Sequence, residues 1–251
     1  MQIQRHDVGL TVDDSLMRLY VAEPAATGHY PGILFYSDIY QLGGPILRLA
    51  DRLAGYGYVV AAPEIFHRLE PIGTVIEPDA LGRLRGNDAA SRTAIAHYDA
   101  DATAALNWLQ NHPTVMPGQI GTCGFCIGGH LACRAALNPV VRAAVCCYPT
   151  GIHNGKLGRD RADTLERLSQ ISAALLLIFG DQDPHVPAEG RDVILNALAA
   201  AEVSHKCLLY PTNHTFMRDD GYRYDPAATD TAWAEITAFL QAQFSRPMPC
   251  V

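Results

Sequence analysis

The chemistry-bearing residues cluster first at Gly121 to His130, which read GTCGFCIGGH, with Gly124, Gly128 and Gly129 flanking Cys126. The apolar run QIGTCGF leads into Cys126 and the helical run HLACRAALN leads out of it. Small residues on both sides of a reactive side chain, at a strand-to-helix turn, suit a sharp elbow that holds the side chain above a sheet. A thiol there would sit at a helix N-terminus, where the positive end of the dipole favours the thiolate. Cys126 is therefore a candidate nucleophile for acyl transfer. Two blander readings compete with it. A cysteine between tight glycines can serve packing alone, since free cysteine is among the most buried residue types. Cys123-Gly-Phe-Cys126 is also formally a C-x-x-C, but redox motifs of that kind open a helix, whereas Cys123 falls within the strand.

A thiolate nucleophile needs a histidine, and the histidine needs a carboxylate to orient it. In enzymes with such an elbow the chain order is nucleophile, acid, histidine, with the last two in loops after later strands. ALLLIFGDQDPHVP ends a strand in an acidic loop, and KCLLYPTNHTF ends the next in a loop bearing His214. That order selects His214 from the ten histidines. His130 lies in the helix after the elbow, His205 precedes its strand, and His185 would leave Asp183 without a separate partner. Asp181 and Asp183 compete for the acid; Asp181 follows the strand-closing glycine and suits a turn cap, which favours Asp183. No second Cys/His cluster has the spacing of a zinc site, so no metal is expected.

The elements that must position these residues alternate short β-branched or apolar runs with longer amphipathic ones. The pattern predicts a mostly parallel sheet covered by helices on both faces. The strand candidates are LMRLYVA, GILFYS, YVVAAP, QIGTCGF, AAVCCY, ALLLIFG and KCLLYP, with helices expected over 46–54, 98–110, 129–137, 188–201 and 229–244. One long stretch, about 66–93, has no clear period and is rich in Gly, Pro, Arg and Asp. It leaves the carboxyl end of YVVAAP, where open α/β sheets bind ligands, and reads as a lid or binding loop.

The 251 residues suit one domain, 1–251, with 49% hydrophobic and 18% charged residues, as in ordinary globular chains. A formal charge of −7 gives no basic footprint for nucleic acid or an anionic membrane. The N-terminus lacks a signal peptide's apolar stretch and no run approaches a bilayer span, so a cytoplasmic protein is expected. The seven cysteines are an odd number, and Cys123, Cys133, Cys146, Cys147 and Cys207 fall in apolar patterns, which suits reduced and mostly buried thiols.

GFCIGG, GDQDPHVP and NHTFMR together resemble the dienelactone hydrolase family, a branch of the α/β-hydrolases with a Cys-His-Asp triad, over about 31–244. The resemblance implies an α/β-hydrolase fold with Cys126 as nucleophile, Asp183 as acid and His214 as base. It implies further that the backbone N–H groups of Ile39 and Ile127 form the oxyanion hole. Asp38 falls where relatives carry a glutamate near the resting thiol, and is one methylene shorter. Arg68 in PEIFHR and Arg218 in HTFMR match arginines that hold a substrate carboxylate, a role suited to bidentate guanidinium chemistry.

The expected activity is opening of a small carboxylate-bearing lactone, or cleavage of an activated ester, through a thioester and with no cofactor. Degradation of aromatic compounds is the implied setting. The partner is a small molecule, with no nucleic acid or membrane, and the protein is a monomer or a small homo-oligomer. A broader carboxylesterase acting on neutral esters is the runner-up. A ligand-binding protein on the same scaffold and a thiol redox protein are the other classes, since fold does not fix function.

Overall fold

The protein is described by a computed structural model covering residues 1–245. Its strands are β1 (Ile3–Val12), β2 (Ser15–Pro24), β3 (Tyr30–Tyr36), β4 (Val59–Pro63), β5 (Val115–Phe125), β6 (Val141–Cys147), β7 (Ala174–Gly180) and β8 (His205–Tyr210). Its helices are α1 (Gly44–Gly55), α2 (Ala80–Arg92), α3 (Ile95–Asn111), α4 (Ile127–Ala135), α5 (Ala188–Ala200) and α6 (Pro226–Phe244). One eight-stranded sheet runs β1-β2-β4-β3-β5-β6-β7-β8. The β1/β2 and β2/β4 pairs are antiparallel and every other pair is parallel.

β7 is apolar and buried along its whole length because both faces of the sheet are covered there. In β7, Leu175, Leu177 and Phe179 join one core, with Leu106 of α3, Leu131 of α4 and Leu198 of α5. Leu176 and Ile178 point the other way, into a core with Leu53 of α1 and Trp233 and Ile236 of α6. Period-two alternation thus splits one apolar run between two helical layers.

All seven expected strands form, and the helices lie where amphipathic spacing puts them, with ends shifted by a few residues. Two elements depart from the expectation. β1 forms although most of its residues are exposed, because it is an edge strand held by its ladder to β2, from Ile3↔Pro24 to Val12↔Ser15. The second half of the 66–93 segment is helix α2 rather than loop. It buries only Gly82, Gly86, Ala89 and Ala90, so it shows no stripe of large apolar residues, and Asp79 caps it through the Gly82 N–H at 2.7 Å. Cys207 also departs, being exposed on edge strand β8, whereas Cys123, Cys133, Cys146 and Cys147 are buried and free. Among the described residues no helix is long and apolar enough to cross a membrane.

Candidate active site

From β3 the chain turns through α1 to β4 on one side of the sheet, then through α3 to β5 on the other. The crevice between the loops after β3 and β5 is therefore the topological switch point, where such sheets bind ligands. Ile39 lies in the first loop and Cys126 in the second.

Cys126 has φ 60° and ψ −121° at the N-cap of α4. A non-glycine residue in this region stores on the order of 1–3 kcal/mol, sustained only where its surroundings hold it. Four bonds do so: the Cys126 N–H donates to Cys147 O at 3.1 Å, and Cys126 O accepts from Gly129 N at 3.0 Å, Thr150 N at 3.2 Å and His130 N at 3.4 Å. Gly128 lets the helix approach the other loop, since a Cβ on it would lie 2.3 Å from Ser37 O. Strain and close approach leave the half-buried thiol at the crevice floor.

His214 follows β8 and Asp183 follows β7, and His214 Nδ1 lies 2.6 Å from Asp183 Oδ2 with both side chains buried. The second carboxylate oxygen accepts from the His185 N–H at 2.8 Å. Asp183, buried at 3% exposure, is thus the carboxylate in contact with His214, while Asp181 is an exposed turn residue whose N–H donates to Tyr210 O. Burial pulls the His214 imidazole toward neutrality. Burial is the largest single influence, but the charges of Cys126 and Asp183 and the hydrogen bonds to both together outweigh it, and the pKa rises to about 9. Burial likewise works to raise Asp183, yet the hydrogen bond and charge of His214 hold it below its usual value. A protonated His214 imidazole held by the Asp183 carboxylate is the state this arrangement favours. His185 packs its ring 4.6 Å from that of His214 but is exposed.

Ile39 and Ile127 both line the cavity over Cys126. Among the described residues neither backbone N–H has a protein acceptor, so both are free for a ligand oxygen. Asp38 shares this cavity, but one oxygen accepts from Arg218 Nη1 at 2.6 Å and the other from the Tyr40 N–H at 2.9 Å. Burial pushes its carboxyl up, a shift that Arg218 opposes. Arg218 Nε is 2.8 Å from Asp220 Oδ1, and the guanidinium lies over the Tyr40 ring at 5.0 Å. Asp38 and Arg218 are therefore engaged with each other at the edge of the site.

The cavity measures about 1030 Å³ and is walled by α2, the β6–β7 connection and the loop before α6. Six cations line it: Arg83, Lys156, Arg159, Arg161, Arg218 and Arg223. Arg161 is paired with Glu166 at 2.6 Å and Arg159 with Asp160 at 3.6 Å, whereas Arg83 and Lys156 have no ion pair among the described residues.

A model of the dienelactone hydrolase family matches residues 17–244. The chain belongs to that family. A Saccharomyces cerevisiae protein named "Putative carboxymethylenebutenolidase" is 36% identical over 255 residues, covering 97% of this chain and 91% of its own. A protein of the same name from Synechocystis sp. is 30% identical over 225 residues, covering 89% and 91%. The crystal structure of a "Putative Dienelactone Hydrolase" from Klebsiella pneumoniae superposes with a TM-score of 0.79 at 22% identity, covering 96% of this chain and 99% of that one.

Within this dienelactone hydrolase family member, Arg68 does not lie where the resemblance implies. It is absent from the cavity lining. Its Nη1 donates to Asp101 at 2.7 and 2.8 Å and its Nη2 to Asp13 at 3.0 Å, stitching the β1–β2 turn to α3. The motif PEIFHR placed it correctly after β4, but the buried Asp101 on α3 captures the side chain. Arg83 and Lys156 were missed because they sit in segments without period. The clue available was the basic, glycine-bearing stretch LGRLRGNDAA following the strand that feeds the switch point.

Proposed function

We propose that this dienelactone hydrolase family member hydrolyses esters or lactones through Cys126, His214 and Asp183, with a carboxylate-bearing lactone as the favoured substrate class. The observation that carries this reading is the 2.6 Å Asp183–His214 contact, with Cys126, held in a strained elbow, lining the same cavity as His214. The Cys126 thiolate attacks the carbonyl carbon, forming a C–S bond as the carbonyl electron pair moves onto oxygen. The free N–H groups of Ile39 and Ile127 receive that oxyanion, commonly the largest electrostatic contribution to acyl transfer. Collapse breaks the C–O bond, and the His214 imidazolium protonates the departing oxygen; a lactone opens and stays attached as a thioester. Neutral His214 then takes a proton from water as it attacks the thioester, and the thiolate leaves. Asp183 keeps the proton on Nδ1 throughout. Unpaired Arg83 and Lys156 support an anionic substrate, since uncompensated cations in a cavity attract carboxylates.

A broader carboxylesterase is the second reading. The observation favouring it is that Arg218 is occupied by Asp38 and Asp220 and that Arg68 lies outside the cavity. The two are separated by following hydrolysis of a carboxylated dienelactone beside a neutral activated ester, for wild type and Cys126→Ala. Preference for the acidic lactone, lost in the variant, supports the first reading. Cysteine-dependent activity confined to the neutral ester replaces it with the second.

A further inference from the structure

His130 takes no part in the mechanism above, yet it is fully buried in α4, one helical turn beyond Cys126. Its Nδ1 lies 2.9 Å from Thr150 O and its Nε2 lies 2.8 Å from Thr164 Oγ1. Thr164 Oγ1 is in turn 3.1 Å from Arg134 Nη1. Every proton in this row has one placement, because a guanidinium only donates and a carbonyl only accepts. Nδ1 carries a hydrogen and donates it to Thr150 O. Burial keeps the ring neutral, its pKa pulled down to about 3, so Nε2 accepts the Thr164 hydroxyl proton. The Thr164 oxygen then accepts from Arg134.

The row is anchored at its far end, where Arg134 Nε and Nη2 donate to Asp99 at 2.6 and 2.8 Å and Nη1 donates to Asp163 at 2.7 Å. At its near end Thr150 is gripped from both sides. Its carbonyl accepts from His130, and its N–H donates to the Cys126 carbonyl at 3.2 Å. That carbonyl belongs to the residue whose backbone is strained.

We propose that His130 is a positioning residue: a fixed N–H donor that holds Thr150 against the Cys126 carbonyl and so keeps the nucleophile in its elbow conformation. The inference rests on Cys126 being the nucleophile. A backbone stored in a sparsely populated region relaxes when its restraints go, and relaxation at Cys126 would swing the sulfur away from His214. Displacement of a reacting atom by about 1 Å can cost up to about a hundredfold in rate.

The test compares His130→Ala, His130→Asn and His130→Gln with wild type and Cys126→Ala. The readouts are kcat and KM on 4-nitrophenyl acetate, the rate at which iodoacetamide alkylates Cys126 (followed by peptide mass), and the melting temperature. Asn places an N–H near the Nδ1 position and Gln does not. The Ala and Gln variants should lose about tenfold in kcat and in alkylation rate, with KM within about twofold of wild type, while Asn recovers most of both. Melting temperatures should fall in all three without following kcat. Asn proving no better than Gln, or kcat tracking melting temperature across the set, would overturn the proposal. Should the Ala variant fail to fold, the Asn–Gln pair decides. Wild-type turnover by Cys126→Ala would refute the nucleophile assignment and the positioning role with it; an inert Cys126→Ala beside fully active His130 variants refutes the positioning role alone.

Discussion

Gly86 of α2 lies directly against Ile39: a Cβ built on it would stand 2.5 Å from the Ile39 carbonyl oxygen and 3.0 Å from its Cβ. Gly128 of α4 makes a similar approach to Ser37 O, at 2.3 Å. The loop bearing the Ile39 N–H is thus gripped between two helices, each through a glycine. Gly86→Ala must push either α2 or this loop aside. If Ile39 donates to the oxyanion, kcat should fall by about tenfold to a hundredfold, since loss of one such donor costs roughly 10²–10³, with KM little changed and the circular dichroism spectrum intact. An unchanged kcat in a folded variant would remove Ile39 from the oxyanion hole.

The raised pKa of His214, about 9, gives activity and stability a shared alkaline limit. Its ordinary value is 6.5, so the stability it contributes is fully present below about 6.5 and is lost as pH rises through about 9. Turnover should decline over the same upper range as the imidazolium that protonates the leaving oxygen disappears. Cys126→Ala removes the sulfur that raises the value through both charge and hydrogen bonding. Melting temperature followed from pH 6 to 10 should therefore fall with a lower apparent pKa in Cys126→Ala than in wild type. Coincident curves would contradict the thiolate–imidazolium pair.

Arg68 and Arg83 should separate structure from recognition. Arg68→Ala removes the Nη1 group that contacts both oxygens of Asp101, 4% exposed, leaving only His67 Nε2 beside it at 3.1 Å, and breaking a buried pair typically costs about 3–5 kcal/mol. It should lower the melting temperature and leave the ratio of kcat/KM between acidic and neutral substrates unchanged. Arg83→Gln should leave the melting temperature unchanged and raise KM several-fold for the acidic substrate alone. Thermal denaturation and kinetics on both substrates decide, and the reverse pattern would restore Arg68 to substrate binding.

The sequence made the centre of the site legible and left its rim obscure, for physical reasons. Cys126, Asp183 and His214 each follow a strand whose apolar run is unmistakable, so their order and topology could be reasoned without coordinates. Asp181, exposed after the strand-closing glycine, was likewise separable from Asp183, the carboxylate that meets His214. α2 was illegible because it buries only glycines and alanines, and β1 because an edge strand is specified by its partner more than by its own residues. Arg68 shows the limit of motif matching. Its place after β4 was right, but where a flexible guanidinium goes depends on which carboxylate folding brings near. The mutual capture of Arg218 and Asp38, 180 residues apart, was hidden for the same reason.

The most direct test of the account is covalent. Wild type, Cys126→Ala and His214→Ala are mixed with an excess of 4-nitrophenyl acetate, quenched in acid, and weighed by intact and peptide mass spectrometry. The account predicts one acetyl group on the Cys126 peptide, labile to hydroxylamine, persisting longer in His214→Ala as deacylation stalls, and absent from Cys126→Ala. Turnover by Cys126→Ala at the wild-type rate, or an adduct on any other residue that turns over at the steady-state rate, would contradict it.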